Sequence, residues 1–228
     1  MKTGISILLA VYNGEKFIKE SIDSILNQTY SNFELLIGFN GTNDNSKAIV
    51  NQYQDDRIKA YDFKEDKGKA KTLNKLLPLC KYDWIAIQDD DDIWMPKKLE
   101  LQIEFTNNYD VIGTSCQYIN TESVYIGHPS ISHNHDDIIK KSLAGDNQII
   151  NTSAIFKKEK AIEVGGWDEN IDGIEDYDFW LKLISIKCKF ININKTLLCH
   201  RLHNNSNFNT KKYDLNQLIK KYNNVNTI

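Results

Sequence analysis

Strand and helix patterns alternate regularly over the first 120 residues of this 228-residue chain, and this alternation limits the folds that it can adopt. Short apolar runs predict strands at 5–11, 33–39, 58–63, 84–88 and 111–118, and amphipathic segments between them predict helices at 15–28, 45–53, 69–79 and 96–107. Such helices are the connections that parallel strands require. We therefore predict an α/β fold with a doubly wound, mostly parallel sheet flanked by helices.

After about residue 120 the pattern is less regular. A polar stretch rich in His, Ser and Asn precedes a predicted strand at 149–156, a Gly165-Gly166 break, a helix at 176–186 and a short helix at 215–222. The chain has no internal repeat, low-complexity linker or clear domain boundary. We therefore predict a single domain over residues 1–228.

Composition narrows the classes of protein. The hydrophobic fraction of 41% is that of a globular protein, and the net charge of -3 provides no basic surface for nucleic acid. Four widely spaced cysteines without a CxxC pair favour reduced thiols over disulfides or a zinc site. No apolar run approaches the roughly 18 residues that cross a bilayer, and the run 5–11 lacks the flanks of a signal peptide. We expect a cytoplasmic protein, with peripheral contact to a membrane left open.

Four consecutive aspartates, Asp89 to Asp92, directly follow the apolar run 84–88, so they lie at the end of a predicted buried strand. Like charges repel one another, and strand ends in an α/β sheet are where ligands normally bind. A divalent cation that bridges carboxylates to a phosphate accounts for both features. The alternative is a solvated acidic turn, because charge runs usually face solvent. The strand before the run and the predicted helix start at Pro96 favour the cation site.

Four motifs follow one another along the chain. They are Ser6 to Gly14, Asn40 to Asp44, Asp89 to Trp94, and Gly165-Gly166-Trp167-Asp168 followed by Glu175-Asp176. In order and spacing this set closely resembles the family 2 glycosyltransferases with the GT-A fold, over about residues 3–205. Each motif alone is weak, so the resemblance depends on their co-occurrence.

The resemblance implies an enzyme that is hexosyltransferase-like and dependent on a divalent metal. It would transfer a sugar from a nucleotide diphosphate donor to an acceptor hydroxyl, with inversion at the anomeric carbon. Residues 1–120 would form the nucleotide-sugar-binding half, 121–205 the acceptor and catalytic half, and 206–228 a tail helix. Membrane polysaccharide synthases of this family carry transmembrane helices and a Gln-x-x-Arg-Trp motif. We find neither and expect a non-processive enzyme.

The family's DxD-like motif corresponds to Asp89, Asp90 and Asp91. The resemblance assigns Asp91 to direct coordination of Mn²⁺ or Mg²⁺, and Asp89 and Asp90 to the donor, with Asp90 near the ribose. Hard carboxylate oxygens suit these ions. Asp92 is predicted to be structural, capping the helix that begins at Pro96.

The family's Glu-Asp motif corresponds to Glu175-Asp176, and it implies that Asp176 is the catalytic base. The alternative is a helix N-terminal carboxylate that only complements the helix dipole. Trp167-Asp168 and Glu175 are implied on the acceptor side, and Asp178 is expected to face outward. Arg201-Leu202-His203 resembles a late Arg-x-His motif, whose histidine approaches the metal or the diphosphate in some members.

The resemblance locates the nucleotide where the first two predicted strands end. Relatives often carry Pro and Tyr at the positions of Ala10 and Tyr12, and an aspartate that reads the base at the position of Asn40. An Asn carbonyl also accepts a hydrogen from a uracil imide, so we expect a UDP-sugar. Asp66 replaces a family asparagine on the donor side. Lys69 is expected to supply the positive charge of a missing arginine, although such a helix start is otherwise ordinary solvated surface.

Two other functions stay open on sequence alone. A sugar nucleotidyltransferase also combines this fold class with carboxylates and Mg²⁺, but the loop after the first strand, residues 12–15, is not the Gly-rich basic loop that it requires. A catalytically degenerate sugar-nucleotide-binding module is supported by the departures at Asn40, Asp66 and Leu73. The retained Asp91 and Asp176 oppose that interpretation.

No motif identifies the donor sugar, the acceptor or the oligomeric state. Specificity rests on a few pocket contacts that a motif does not encode. Four classes of acceptor stay open: a glycan, a lipid-linked sugar, a protein and a small molecule. We expect residues 118–148 to contact the acceptor.

Overall fold

The structure, a computed structural model, describes residues 3–64, 68–171, 173–203 and 215–223. Within these ranges the strands are β1 (Ile5–Val11), β2 (Phe33–Phe39), β3 (Ile58–Asp62), β4 (Trp84–Gln88), β5 (Ile93–Trp94), β6 (Val111–Ile119), β7 (Tyr125–Gly127), β8 (Ile155–Lys157) and β9 (Phe190–Arg201). The α-helices are α1 (Ile18–Leu26), α2 (Ser46–Val50), α3 (Lys69–Leu76), α4 (Lys98–Ile103), α5 (His135–Leu143), α6 (Lys158–Glu163), α7 (Glu175–Ser185) and α8 (Leu215–Asn223). Short 3₁₀ helices lie at Leu77–Leu79 and Asn151–Ser153. None of the helices described is long and apolar enough to cross a lipid bilayer.

The strands form one sheet in the order β3-β2-β1-β4-β8-β6-β9-β5, and β7 pairs with β6. The first four strands are parallel, as are β6 and β9, whereas β8 is antiparallel to both of its neighbours. The predicted α/β fold with a mainly parallel sheet is therefore confirmed. After β3 the chain returns to the other side of β1, which places a topological switch point between β1 and β4. Ligands of α/β sheets bind outside the strand ends at such a point.

The sheet separates two apolar cores, because successive side chains of a strand point to opposite faces. In β1, Leu8 enters one core, whereas Ile7 and Leu9 enter the other. Helices α1, α2 and α4 cover the face of Ile7, and helices α3, α5, α6, α7 and α8 cover the face of Leu8. Strands buried on both faces require nearly continuous apolar runs, which β1, β2 and β4 have.

Some predicted elements differ from the structure. Asn13 does not cap α1; the helix begins at Ile18 without a side-chain cap, and the Asn13 carboxamide accepts the N–H of Asn43 at 3.0 Å. The helix predicted at 96–107 is limited to α4. Strand β9 is not among the predicted strands, because its apolar pattern is interrupted by exposed residues at 194–196.

Candidate active site

The carboxyl ends of five strands meet at one edge of the sheet. β4, β6 and β9 run in the same direction as β1 and β2, since β8 is antiparallel to both β4 and β6. Residues that are distant in sequence therefore converge at this edge. Those that follow these strands are Tyr12, Asn40, Asp89–Asp92, Asn120 and His203.

The acidic turn, Asp89–Asp92, is tied to α1. The Ser21 hydroxyl donates to the carbonyl of Asp89 at 2.8 Å. The Gln88 amide donates to the Ser21 hydroxyl and to the carbonyl of Asp92, both at 2.9 Å. These bonds hold the backbone of the turn, so the four carboxylates point into different surroundings.

Asp92 is fully buried and structural, but it does not cap a helix. Its carboxylate accepts hydrogen bonds from Thr152 Oγ1 at 2.6 Å, the backbone N–H of Arg201 at 2.8 Å and His200 Nδ1 at 2.9 Å. Burial alone would raise the pKa of Asp92, yet His200 and these bonds hold it below its ordinary value. Burial alone would lower the pKa of His200. The Asp92 carboxylate outweighs this effect and raises the pKa of His200 to about 9. The predicted cap is wrong because α4 begins at Lys98, away from this carboxylate.

Arg201 fastens the end of β9 to three other segments through one buried guanidinium. Its Nε donates to the carbonyl of Asp91 at 2.8 Å, and its Nη2 donates to Glu20 Oε2 at 2.6 Å. Its Nη1 donates to the carbonyl of Asn120 at 2.9 Å and to Ser123 Oγ at 3.0 Å. The guanidinium therefore fixes the acidic turn, α1 and the turn after β6 relative to β9.

The end of β9 brings His203 to the acidic turn, with His203 Nε2 lying 2.8 Å from Asp91 Oδ2. Burial raises the pKa of Asp91 in spite of this contact. A carboxylate oxygen and an imidazole nitrogen fit Mn²⁺ or Mg²⁺, and two protein donors leave positions for diphosphate oxygens and water. In the part of the chain described, no three His, Cys, Asp or Glu residues surround a common metal position. The donor set thus fits a cation shared with a substrate rather than an all-protein cage.

Asp90 points from the acidic turn toward β1. Its carboxylate accepts the backbone N–H of Tyr12, and Gly14 makes this approach possible, because a Cβ there would collide with Asp90 Oδ2. Burial, together with the charges of the adjacent aspartates, raises the pKa of Asp90 well above its ordinary value. Tyr12 is itself exposed, whereas Ala10 is partly buried at the end of β1.

Asn40 lies directly after β2 and is 5% exposed. Its backbone N–H donates to the carbonyl of Val11 at 3.1 Å, but its side-chain Oδ1 has no hydrogen-bond partner among the described residues. A buried acceptor left unpaired costs about 1–3 kcal/mol, so this oxygen is suited to a ligand N–H. The predicted donor-binding residue Asp66 lies outside the described residues.

Lys69 opens α3 and connects the acidic turn with α7. Its ammonium forms an ion pair with Asp89 and lies near the carboxylates of Glu175 and Asp176. Burial alone would lower the pKa of Lys69, but these carboxylates raise it above its ordinary value. A single cation therefore interacts with carboxylates from two separate motifs.

Asp176 lies in the first turn of α7. Burial and the neighbouring Glu175 raise the pKa of Asp176 to about 7, while Lys69 opposes the shift. One oxygen of Asp176 accepts the N–H of Tyr177 at 2.8 Å. Glu175 is buried and accepts the N–H of Gly173 at 2.6 Å. A carboxylate with a pKa near neutrality can accept a proton from a hydroxyl during a reaction.

Asn74 of α3 clamps the turn that contains Trp167. Its Oδ1 accepts the N–H of Trp167 at 3.0 Å, and its Nδ2 donates to the Trp167 carbonyl at 2.9 Å and to Glu169 Oε1 at 3.0 Å. Gly166 has φ +68° and leaves no room for a Cβ beside Asn74. The Trp167 ring is 2% exposed and stacks on Phe179 at 4.5 Å. The ring therefore belongs to the core, and the acceptor-side role of this turn stays a prediction.

Asp178 is fully buried on α7, contrary to the predicted outward position. It accepts hydrogen bonds from the Tyr222 hydroxyl at 2.5 Å and from Lys221 at 3.3 Å, and it pairs with Lys182 at 3.3 Å. Asp168 is partly exposed, with a carboxylate oxygen 3.9 Å from Lys221 Nζ. Helix α8 thus covers α7 and reaches the edge of the Trp167 turn.

Among the residues that build the site and are absent from the sequence predictions are Glu20, Thr152 and His200. The Thr152–Asp92 contact spans 60 positions and the Arg201–Glu20 contact spans 181, and no spacing rule connects such residues. His200 precedes Arg201 in the late motif. Recognising β9 as a strand would have indicated that adjacent residues there face opposite sides.

Comparison with known proteins gives concordant results. Residues 6–165 match the family described as Glycosyl transferase family 2. The O-antigen biosynthesis glycosyltransferase WbnJ of Escherichia coli is 32% identical over 232 residues, covering 95% of this chain and 89% of WbnJ. The UDP-Glc:alpha-D-GlcNAc-diphosphoundecaprenol beta-1,3-glucosyltransferase WfgD of Escherichia coli is 30% identical over 204 residues, covering 82% of this chain and 74% of WfgD. The crystal structure of S. aureus TarS 1-349 in complex with UDP-GlcNAc aligns with a TM-score of 0.80 at 16% identity, over 98% of this chain and 66% of that one. The likeness to TarS concerns the fold, which is of the GT-A type.

Proposed function

The chain belongs to glycosyl transferase family 2, and we therefore propose that it transfers a sugar from a UDP-sugar to an acceptor hydroxyl with inversion at the anomeric carbon. The observation that carries the proposal is the convergence of the Asp91–His203 pair and Asp176 at one edge of the sheet, connected through Lys69 and Asp89. Transfer requires a site for the departing diphosphate and a proton acceptor in the same cleft.

Asp176 is the proposed base. Its carboxylate takes the proton of the acceptor hydroxyl while that oxygen forms a bond to the anomeric carbon, and the bond from this carbon to the diphosphate breaks on the opposite face. Attack opposite the leaving group inverts the configuration. A pKa of about 7 leaves a large fraction of Asp176 deprotonated at neutral pH while keeping it basic enough to accept the proton. Lys69 lies between Asp176 and the acidic turn, where its charge opposes that of the diphosphate.

Asp91 and His203 are the residues that would hold Mn²⁺ or Mg²⁺. When bound, such a cation supplies positive charge to the departing diphosphate. The protein's own contribution is orientation, because Arg201 and Asp92 fix the backbone on either side of this pair. Asp90, with its raised pKa, lies beside Tyr12, where we infer the ribose to bind.

Asn40 supports uracil as the base. Its unpaired Oδ1 can accept the N3–H of uracil, and its amide group can donate to a uracil carbonyl. WfgD is named for a UDP-Glc donor, and the TarS structure contains UDP-GlcNAc. WbnJ is named for O-antigen biosynthesis and WfgD for a lipid-linked sugar acceptor. We infer that the acceptor hydroxyl of this chain belongs to a sugar.

Thermal stabilisation by UDP, GDP and TDP, each with Mn²⁺ or with EDTA, tests the donor site. We expect the largest stabilisation with UDP and Mn²⁺. In Asn40→Ala the UDP affinity should fall about tenfold, the effect of one buried hydrogen bond, whereas Asn27→Ala at an exposed asparagine should leave it unchanged. A shift with GDP alone would reassign the base. No metal-dependent shift with any of the three would favour a catalytically degenerate module.

A further inference from the structure

The turn after β6 and strand β7 form an arm, residues 119–128, which the proposed chemistry leaves without a role. Val124, Tyr125 and Ile126 are 57%, 56% and 52% exposed. Alternate residues of a strand that lies on the protein body would be buried, so the arm projects and presents apolar groups on both faces. In the remaining described residues the exposed large apolar side chains are isolated along the sequence: Tyr12, Leu79, Ile162 and Leu215.

The arm lies on the side of β6 that is nearest the acidic turn. Strand β9 pairs along one edge of β6 from Val111 to Ile119, so β8 at Val111–Ile112 and β7 at Tyr118–Ile119 share the other edge. Strand β8 also pairs with β4. Beyond the end of β8, β7 therefore occupies the position nearest the carboxyl end of β4, where the acidic turn lies. The second edge of β7 has no strand partner in the part of the chain described.

The arm is organised by internal bonds. Asn120 Oδ1 accepts the N–H groups of Glu122 at 3.0 Å and Val124 at 2.9 Å. The Tyr125 hydroxyl lies 2.9 Å from His128 Nδ1, which restrains the exposed ring. Arg201 binds the same turn and the acidic turn with one guanidinium. A ring held in advance loses little conformational freedom when a ligand stacks on it.

Charge indicates a neutral ligand. Residues 99–139 contain no lysine or arginine, and the arm itself carries one carboxylate, Glu122. A phosphate or an anionic lipid surface therefore finds no cation on the arm. The face of an aromatic ring is negative, so it attracts the polarised C–H groups on the apolar face of a sugar. The unpaired backbone groups of β7 can bind sugar hydroxyls.

We propose that the arm is an acceptor subsite in which Tyr125 stacks on a neutral sugar ring of the acceptor, while the reacting hydroxyl reaches Asp176. The proposal rests on the proposed glycosyl transfer and adds the chemical class of acceptor that is recognised beside the acidic turn. Val124 and Ile126 flank the ring with aliphatic contacts.

The test compares Tyr125→Ala, Tyr125→Phe and Ile162→Ala, which removes an equally exposed apolar side chain of α6. The probes are the methyl glycosides of glucose, galactose and N-acetylglucosamine, with methyl glucuronoside as the anionic counterpart. Saturation-transfer NMR in the presence of UDP and Mn²⁺ measures their binding. For Tyr125→Ala we expect binding of the neutral glycosides, and the KM of any that accept sugar, to worsen about tenfold, the effect of one lost ring contact. Tyr125→Phe keeps the ring but loses the hydroxyl contact to His128, so it should worsen either value less than Tyr125→Ala does. Ile162→Ala should change either value less than about twofold, and methyl glucuronoside should bind more weakly than the neutral sugars.

Binding of UDP and hydrolysis of the UDP-sugar report on the proposed function separately. Both should be unchanged in Tyr125→Ala, because the arm contacts the acceptor and not the donor. If the wild-type protein neither binds UDP nor hydrolyses a UDP-sugar, the proposed function fails, whatever the variants do. If wild-type activity is present but Tyr125→Ala binds the neutral glycosides normally, the subsite is overturned. A change confined to flotation with phosphatidylcholine vesicles, or to the sedimentation of a dimer, would also overturn it and reassign the arm.

Discussion

Asp92 and Asp176 lie at the same edge of the sheet, yet the structure restrains their carboxylates in opposite ways. Asp92 is fully buried and accepts three hydrogen bonds from segments far apart in the chain, and its pKa is lowered. For the Asp176 carboxylate, the bond from the adjacent Tyr177 N–H is the single hydrogen bond found in the described residues, and its pKa is raised to about 7.

This difference in hydrogen bonding and pKa fits two different roles for a carboxylate, positioning its neighbours and accepting a proton. A carboxylate that positions its neighbours benefits from bonds to every lone pair, because each bond removes freedom from the turn that carries it. A carboxylate that accepts a proton needs lone pairs that are free, and a raised pKa increases its basicity. The acidic turn is thus held rigidly by its hydrogen bonds, whereas the environment of Asp176 at the start of α7 fits the base that we propose.

The largest expected effect is on catalysis. Asp176→Asn removes the proposed base, so kcat should fall about 10³-fold, within the range attributed to general base catalysis. The affinity for UDP should change less than about twofold, which calorimetry can measure. Asp136→Asn, at a comparable position in the first turn of α5, should change neither quantity. A variant of Asp176 that keeps more than about a tenth of kcat would contradict the assigned role.

The free energy of unfolding should respond most strongly to a change at Asp92 in the acidic turn. Asp92→Ala leaves His200 and the Arg201 N–H without their partner, so the free energy of unfolding should fall by about 3–5 kcal/mol. Asp90→Asn is the matched control, because a carboxyl with a raised pKa destabilises the folded protein when it is ionised. It should leave the free energy of unfolding unchanged or raise it. Urea unfolding at pH 7 compares the two, and equal losses would remove the distinction between these adjacent aspartates.

The pH dependence of catalysis should sharpen the contrast. Asp176 must be deprotonated to act, so kcat/KM should rise with pH and level off above about pH 7. Lys69→Gln removes a cation that lowers the pKa of Asp176. The rising limb of the plot of kcat/KM against pH should therefore move to higher pH by about one unit. Lys71→Gln, also on α3, should leave it in place. A limb that does not move in Lys69→Gln would show that Lys69 does not act on the base.

The same shift affects stability with a defined sign. Between the unfolded pKa near 3.8 and the folded pKa of about 7, the folded state binds the additional proton. The free energy of unfolding of the wild type should therefore decrease with rising pH across this window, relative to Asp176→Asn. Asp176→Asn should be the more stable protein at pH 7 by roughly 4 kcal/mol, since each pKa unit corresponds to about 1.4 kcal/mol, and this advantage should vanish below pH 4.

The smallest expected effect concerns the back of α7. Tyr222→Phe removes one hydrogen bond to the buried Asp178, so the free energy of unfolding should fall by about 1–2 kcal/mol, with kcat unchanged. Tyr53→Phe is the matched control, because its hydrogen bond goes to the partly exposed Asp23 and should contribute less. A large loss of kcat in Tyr222→Phe would mean that the back of α7 controls its reactive start.

Much of the fold was predictable, because strands buried on both faces have continuous apolar runs. The predicted bounds of β1 and β2 are those of the structure. β9 was not predicted, because its run leaves the core at 194–196 and returns to it at Leu197. Its position beside β6 follows from the pairing of the whole sheet, which local patterns do not contain.

The site was predictable where a motif supplies the chemistry and unpredictable where tertiary contacts do. The resemblance singled out Asp91 and His203, and the structure brings them together. The role of Asp92 depends on Thr152 and His200, whose positions are set by segments that a local pattern cannot connect. Trp167 illustrates the same limit, because the motif marks a turn whose backbone is bound by Asn74, but it does not indicate that the ring packs in the core.

Helix α3 sets the distance between two parts of the site, the acidic turn and the turn that contains Trp167. It carries Lys69 in its first turn and Asn74 five residues later, which corresponds to a rise of about 7.5 Å along a straight helix. The separation between Lys69, which lies beside the acidic turn, and Asn74, which binds the Trp167 turn, is therefore set by the rise of the helix. A single residue inserted between Lys69 and Asn74 would rotate the anchor by about 100° without altering any side chain at the site. Variation among relatives in this helix should thus be freer in residue identity than in length.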